Sequence, residues 1–184
     1  MDTCCCCTYV RGGEVGVLER LGEYSGIALP GLQCIMFPFV QLASQISLRI
    51  QMLDVSCDTK TLDNVFCNVK VSVMYRVLKD RVVDANYKLS DVRSQIRAYV
   101  NNVVRSTLPK MLLDDGFKDK DIVAKDVQSH LSDIMKEYGY EIINVLVIDL
   151  EPDKVVKHSM NEINASQRMR MAAAEKAEAN KIMQ

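Results

Sequence analysis

Residues 53–77 constrain the fold more than any other stretch of this chain, because their side chains alternate. From Val65 the odd positions read Val65, Cys67, Val69, Val71, Val73, Tyr75 and Val77, and the even ones Phe66, Asn68, Lys70, Ser72, Met74 and Arg76. A strand turns successive side chains to opposite faces, so this segment has one apolar face and one largely polar face. Leu53, Val55 and Cys57 repeat the alternation against Asp54, Ser56 and Asp58, and polar Lys60, Thr61, Asp63 and Asn64 separate the two runs. The pattern predicts an antiparallel hairpin. With its turn centred near Leu62, Cys57 would face Cys67, Val55 would face Val69 and Leu53 would face Val71, all on one side. The rest of the chain must cover that side.

The flanking segments supply the cover. Residues 14–22 read as a short strand, Val15 and Val17 against Glu14 and Gly16, ending at a glycine turn, and Pro30-Gly31 marks a second turn. Ile46, Leu48 and Ile50 alternate with Ser47, Arg49 and Gln51; the apolar parity then switches before Leu53, which predicts a bulge or bend near Gln51 or Met52. After Val77 the period becomes helical. Residues 80–87 allow two helical turns, and Ser90 is placed as the N-cap of a longer helix with Val92, Ile96, Tyr99, Val100, Val103 and Val104 on one stripe, bent or ended by Pro109. Asp114, Asp115 and Gly116 read as a break. A third helix over residues 118–138 turns Val123, Val127, Leu131, Ile134 and Tyr138 inward, with Gly139 just past its end. Residues 140–150 lack clean alternation and read as a strand buried on both faces or covered by a neighbour. Pro152 and Asp153 open a last helix whose first part carries Val156, Met160 and Ile163 as a contact stripe. Its Ala-rich remainder, with Glu175, Lys176, Glu178 and Lys181, has high helix propensity and little to bury. That helix is expected to project and to join copies of the chain. No cap or breaker precedes Gln184, so a longer protein is expected.

Charge and motif content exclude several function classes. The 184-residue chain has a net charge of −1 and no stripe of Lys or Arg, which argues against a nucleic-acid-binding face. Residues 24–48 carry no charge, inviting a transmembrane reading, but Pro30, Gly31, Gln33, Pro38, Gln41 and Gln45 interrupt them. Two or three buried strands joined by Pro-Gly turns are expected there, with a shallow insertion of residues 35–40 into a membrane left open. The amino terminus lacks the basic and apolar regions of a secretory signal. His130 and His158 fall among polar helical neighbours, and the pairs Asp114/Asp115 and Asp149/Glu151 read as helix-end and strand-end charges. None of GxSxG, HExxH, the P-loop or GxGxxG occurs. No catalytic, cofactor-binding or metal-binding set is expected, and no small-molecule substrate.

Seven cysteines are distributed unevenly. Cys34, Cys57 and Cys67 sit singly in apolar runs and read as small buried hydrophobes. A Cys57–Cys67 disulfide is sterically allowed by the expected hairpin, although an intracellular chain would keep it reduced. Cys4, Cys5, Cys6 and Cys7 are consecutive. Zinc would need a second pair or a nearby His to complete the Cys4–Cys7 spacing, and adjacent residues are too crowded for a disulfide framework. S-acylation remains, alongside a tip of no consequence. One acyl chain gives marginal membrane binding and two give stable anchoring, so adjacent thiols make physical sense.

Three long phrases give the chain a family resemblance: LDVSCDTKTLDNVFCNV from Leu53, YKLSDVRSQIRAYVNNVVRSTLPKMLLDD from Tyr87, and YGYEIINVLVIDLEPDKVVKHSMNEINASQRMRMAAAEKAEANKI from Tyr138. Over residues 14–184 it resembles the stomatin, prohibitin and flotillin (SPFH, band 7) superfamily, and within it the plant hypersensitive-induced response proteins. The resemblance implies an α+β fold: a curved, mostly antiparallel sheet with helices packed on one face, then a long projecting C-terminal helix. It divides the chain into a cysteine-rich lipid-anchor tip (1–8), an SPFH/band 7 domain (9–152) and the start of an assembly helix (153–184). It also implies a non-enzymatic scaffold that forms homo- or hetero-oligomers on the cytoplasmic face of plasma-membrane microdomains. A part in plant defence cell death, with leucine-rich-repeat immune proteins as partners, is implied as well. The family's paired cysteines match Cys6 and Cys7, so S-acylation is expected there, with Cys4 and Cys5 as additional acceptors. The family usually begins Met-Gly and is N-myristoylated, whereas Asp2 here forbids that acyl chain. The alternative is a soluble interaction module or regulator that binds a partner through the Ala-rich helix, with incidental cysteines.

Overall fold

In the computed structural model, which describes residues 7–35 and 38–182, eight strands form three antiparallel sheets. Strands β1 (Cys7–Val10), β2 (Glu14–Arg20), β3 (Glu23–Ala28), β4 (Gly31–Cys34) and β5 (Val40–Ser47) precede β6 (Gln51–Lys60) and β7 (Phe66–Val77). Helices α1 (Val82–Tyr87), α2 (Val92–Thr107), α3 (Leu113–Lys118) and α4 (Lys120–Glu137) then lead to β8 (Tyr140–Pro152) and α5 (Lys154–Ile182). β1 pairs with β4, β2 lies between β3 and β5, and β7 lies between β6 and β8.

The expected hairpin is β6–β7, with the expected face buried, but in a different register. Thr59 stands opposite Cys67, Cys57 opposite Val69, Val55 opposite Val71 and Leu53 opposite Val73. The turn therefore centres on Asp63 and not on Leu62, and moving a turn by one residue moves every pairing by two. Asn64 explains the position: it takes the left-handed conformation (φ 64°) and donates its N–H to the Thr61 carbonyl, while Thr61 and Val65 close the end. A two-residue slip preserves parity, so the apolar face survives. The Cys57–Cys67 pairing does not; the two thiols sit diagonally, both buried.

Helices cover that face. Cys67, Val69, Val71, Val73, Tyr75 and Val77 pack beneath Ile96, Val100, Val103 and Val104 of α2 and Val123, Val127, Leu131 and Met135 of α4. Met135, rather than Ile134, completes the i, i+4 row of α4, and Ile134 is only half-buried. Asp91, not Ser90, caps α2, its Oδ1 accepting the N–H groups of Arg93 and Ser94. Asp114, Asp115 and Gly116 lie within the short helix α3 instead of breaking the chain. β8 lost its alternation to two bulges opposite Lys70/Val71 and Met74/Tyr75, and not to burial on both sides: Ile143, Leu146 and Ile148 are exposed. The parity change before Leu53 is a bend over residues 48–50, where the chain passes from one sheet to another.

In the N-terminal half, β2 is buried on both faces. Val15 and Val17 join the core; on the other side a Cβ at Gly16 would fall 2.5 Å from the Leu42 side chain and 3.4 Å from that of Val10. Glycine in mid-strand lets the β1–β4 ribbon close onto β2. β3, β4 and β5 are strands as expected, yet most of their residues are exposed or half-buried rather than buried. Of residues 35–40, Met36 and Phe37 lie outside the described residues. At the other end, Val156 and Met160 of α5 pack half-buried on the core, and residues 161–177 are exposed throughout, Ile163 included.

Candidate membrane-facing site

The ribbon of β1 and β4 carries the candidate site. Its register sets Cys7 opposite Cys34, Thr8 opposite Gln33, Tyr9 opposite Leu32 and Val10 opposite Gly31. Directly paired residues share a face. Thr8 and Val10 point inward and are buried, which anchors the ribbon to the body. Cys7, Tyr9, Leu32 and Cys34 therefore share the outward face, where Tyr9 is 61% and Leu32 72% exposed. The two Sγ atoms are 3.4 Å apart. Neither strand contains a charged residue, and Leu29, just before β4, is also exposed. Gln45 steadies the ribbon by donating from Nε2 to the Tyr9 carbonyl at 3.3 Å. Paired, exposed, uncharged apolar side chains beside a thiol suit contact with a lipid surface.

Of the cysteines expected to be acylated, Cys7 is thus placed at the edge of this face, while Cys4, Cys5 and Cys6 lie outside the described residues. Cys34 is exposed rather than buried. Sequence reasoning missed its pairing with Cys7, whose only trace is the four-residue inward and outward alternation shared by two very short strands. Burial pushes the thiols of Cys57 and Cys67 up, with Arg105 partly opposing this at Cys57 and the Cys57 and Asp58 charges adding to it at Cys67. Such thiols are poor nucleophiles.

Among the described residues the other titratable groups named from the sequence do not converge. His130 is exposed, and exposed His158 places Nδ1 3.6 Å from Glu162 one helical turn away. Glu151 pairs with Lys70 at 3.1 Å across the ladder, and Asp149 Oδ1 accepts the Leu150 N–H. A cleft of about 480 Å³ at the base of α5 is lined by Asp114, Phe117, Asp149, Glu151 and Met160 without a nucleophile beside a base. Among the described residues no His, Cys, Asp and Glu cluster has the geometry of a metal site. Among them, too, no helix is long and apolar enough to cross a membrane.

The model of the SPFH domain / Band 7 family matches residues 8–181. The chain belongs to that family. Hypersensitive-induced response protein 4 of Arabidopsis thaliana is 46% identical over 178 residues, which is 95% of this chain and 60% of the relative. An uncharacterized protein of Methanocaldococcus jannaschii is 25% identical over 91% of this chain and 83% of its own length. Stomatin-like protein 2, mitochondrial, of Rattus norvegicus is 24% identical over 91% of this chain and 47% of its own. The chain thus spans about 60% of the length of the plant relative. The SPFH fold has here the expected form, antiparallel sheets under a layer of helices followed by a long helix. SPFH proteins oligomerise and associate with membranes.

Proposed function

We propose that this SPFH chain is a non-enzymatic scaffold on the cytoplasmic face of the plasma membrane, held by S-acyl chains on Cys6 and Cys7, with Cys4 and Cys5 as further acceptors. The observation that carries the reading is the outward face shared by Cys7, Tyr9, Leu32 and Cys34. The same face offers an apolar surface for first contact with a membrane. Full burial of a Leu-sized side chain contributes roughly 1.5–3 kcal/mol, enough for transient contact. Each acyl chain then adds roughly 0.8 kcal/mol per buried methylene, enough for residence once two are attached. α5 joins copies into a patch, with Ile163 exposed for that purpose while Val156 and Met160 hold the helix to its own body. Likeness to the plant relative supports a part in the hypersensitive response; leucine-rich-repeat immune proteins belong to the proposal as its partners.

The test is fractionation of cells expressing the chain with Cys4, Cys5, Cys6 and Cys7 all changed to Ser. The variant should move to the aqueous fraction, and unchanged membrane association would defeat the anchor. The bare surface of α5 over residues 161–177 equally suits a soluble regulator that binds a different protein. Size-exclusion of the purified chain separates the two: self-association supports the scaffold, and a strict monomer favours the regulator.

A further inference from the structure

Cys7 and Cys34 are, among the described residues, the only cysteines directly opposite each other in a ladder. Paired residues of antiparallel strands have Cα atoms about 4.5 or 5.5 Å apart, inside the ~4.4–6.8 Å that a disulfide spans. With the Sγ atoms already 3.4 Å apart, closing the bond needs side-chain rotation and no strand movement. Cys34 is exposed and Cys7 half-buried, so small oxidants reach the pair. Cys57 and Cys67 are the internal contrast: both buried, and each opposite a residue other than the second cysteine.

We propose that Cys7 and Cys34 form a reversible disulfide when oxidised by a hydroperoxide, and that this removes Cys7 from the thiols open to S-acylation. The thiolate of either residue attacks the terminal peroxide oxygen, the O–O bond breaks, and a sulfenic acid forms while hydroxide leaves and takes up a proton. The second thiolate attacks the sulfenic sulfur, the S–S bond forms, and the hydroxyl leaves as water. Two thiols and one hydrogen peroxide thus become one disulfide and two waters. A dithiol reductant reverses the step by exchange. An acyl thioester on Cys7 uses the same sulfur, so the two fates exclude each other. The disulfide stands on geometry alone, whereas its effect on acylation rests on the anchoring reading.

The purified, reduced chain is treated with hydrogen peroxide, alkylated, digested and mapped by mass spectrometry. A Cys7–Cys34 linked peptide should appear, with alkylation lost at both residues together and restored by dithiothreitol. Because Cys4, Cys5 and Cys6 lie close in sequence, the link must persist when these three are changed to Ser and vanish in Cys34→Ser. Linkage of Cys34 to any other cysteine, or continued alkylation of both residues, would overturn the disulfide. In cells, peroxide should lower acyl occupancy of Cys7 severalfold in the natural sequence and leave it unchanged in Cys34→Ser. Equal occupancy before and after peroxide, with the link present, overturns the coupling. If Cys7 never carries an acyl group in either protein, the anchoring reading fails and the disulfide remains.

Discussion

A Cβ built on Gly139 would fall 2.6 Å from the carbonyl oxygen of Arg81. Gly139 has φ +82° just past α4, and its carbonyl accepts the Leu78 N–H at 3.0 Å, so this residue seats the start of β8 against the chain leaving β7. Gly139→Ala combines a left-handed residue, costing roughly 1–2 kcal/mol, with forced displacement of backbone, costing roughly 1–3 kcal/mol. Urea unfolding should show a loss of about 2–5 kcal/mol. Gly22 is the control: its φ is +90° with nothing within 4 Å, and Gly22→Ala should cost only the conformational part.

The hairpin tip does a second job. Asp63 Oδ2 accepts the N–H of Leu113 at 3.0 Å, and Leu62 donates to the Met111 carbonyl. α3 has no side-chain cap of its own, so an aspartate fifty residues earlier provides one. Asp63→Ala should lower stability by roughly 0.5–2 kcal/mol, in the range of a lost N-cap. Asp63→Asn should retain most of it. Thermal unfolding of the two variants checks the pair.

The hairpin also marks where the sequence was legible. Period two in residues 65–77 fixed the face, since parity is a property of the strand itself. Register was not legible, because it depends on which residue of TKTLDN enters the left-handed region, and Asn64 and Asp63 are both plausible turn residues by type. α4 failed in the same way: Ile134 and Met135 are both apolar, and only the packing of Val123, Val127 and Leu131 against β8 and α2 chooses between them. The ribbon was least legible. Two four-residue strands separated by twenty residues carry too little pattern to be paired from their own side chains, and the glycine that seats them, Gly16, reads as a gap in an alternating strand.

The choice of Met135 is measurable. Met135 is fully buried and Ile134 only partly so. Met135→Ala should cost roughly 2–5 kcal/mol, as large-to-small changes in a packed core do, and Ile134→Ala clearly less. Equal losses in chemical denaturation would place the helix face elsewhere.

Alkaline pH should destabilise the domain through Tyr140. Burial, with a smaller contribution from Tyr75, pushes its phenol up to about 12 from 10.0, and its hydroxyl donates to the Ala85 carbonyl at 3.4 Å. Because the folded value is the higher one, the unfolded chain releases this proton first. The stabilisation is complete below pH 10 and is lost as pH rises from 10 to 12. Tyr140→Phe should flatten that alkaline limb in a series of unfolding curves, at the cost of one hydrogen bond, roughly 0.5–1.5 kcal/mol, near neutrality.

Vesicle flotation separates the apolar face from the acyl chains. Tyr9 and Leu32 contribute little to the body, since Thr8 and Val10 on the other side of the ribbon do the packing. Tyr9→Asp and Leu32→Asp should therefore leave thermal unfolding almost unchanged. In a background with the tip cysteines changed to Ser, each should weaken binding to phosphatidylcholine vesicles about 10–100-fold, the equivalent of losing one buried apolar side chain. With a net charge of −1 and an uncharged ribbon, adding phosphatidylserine should change little, because no basic cluster is there to feel the anionic surface. A double variant that floats as well as its parent would show that this face meets something other than lipid.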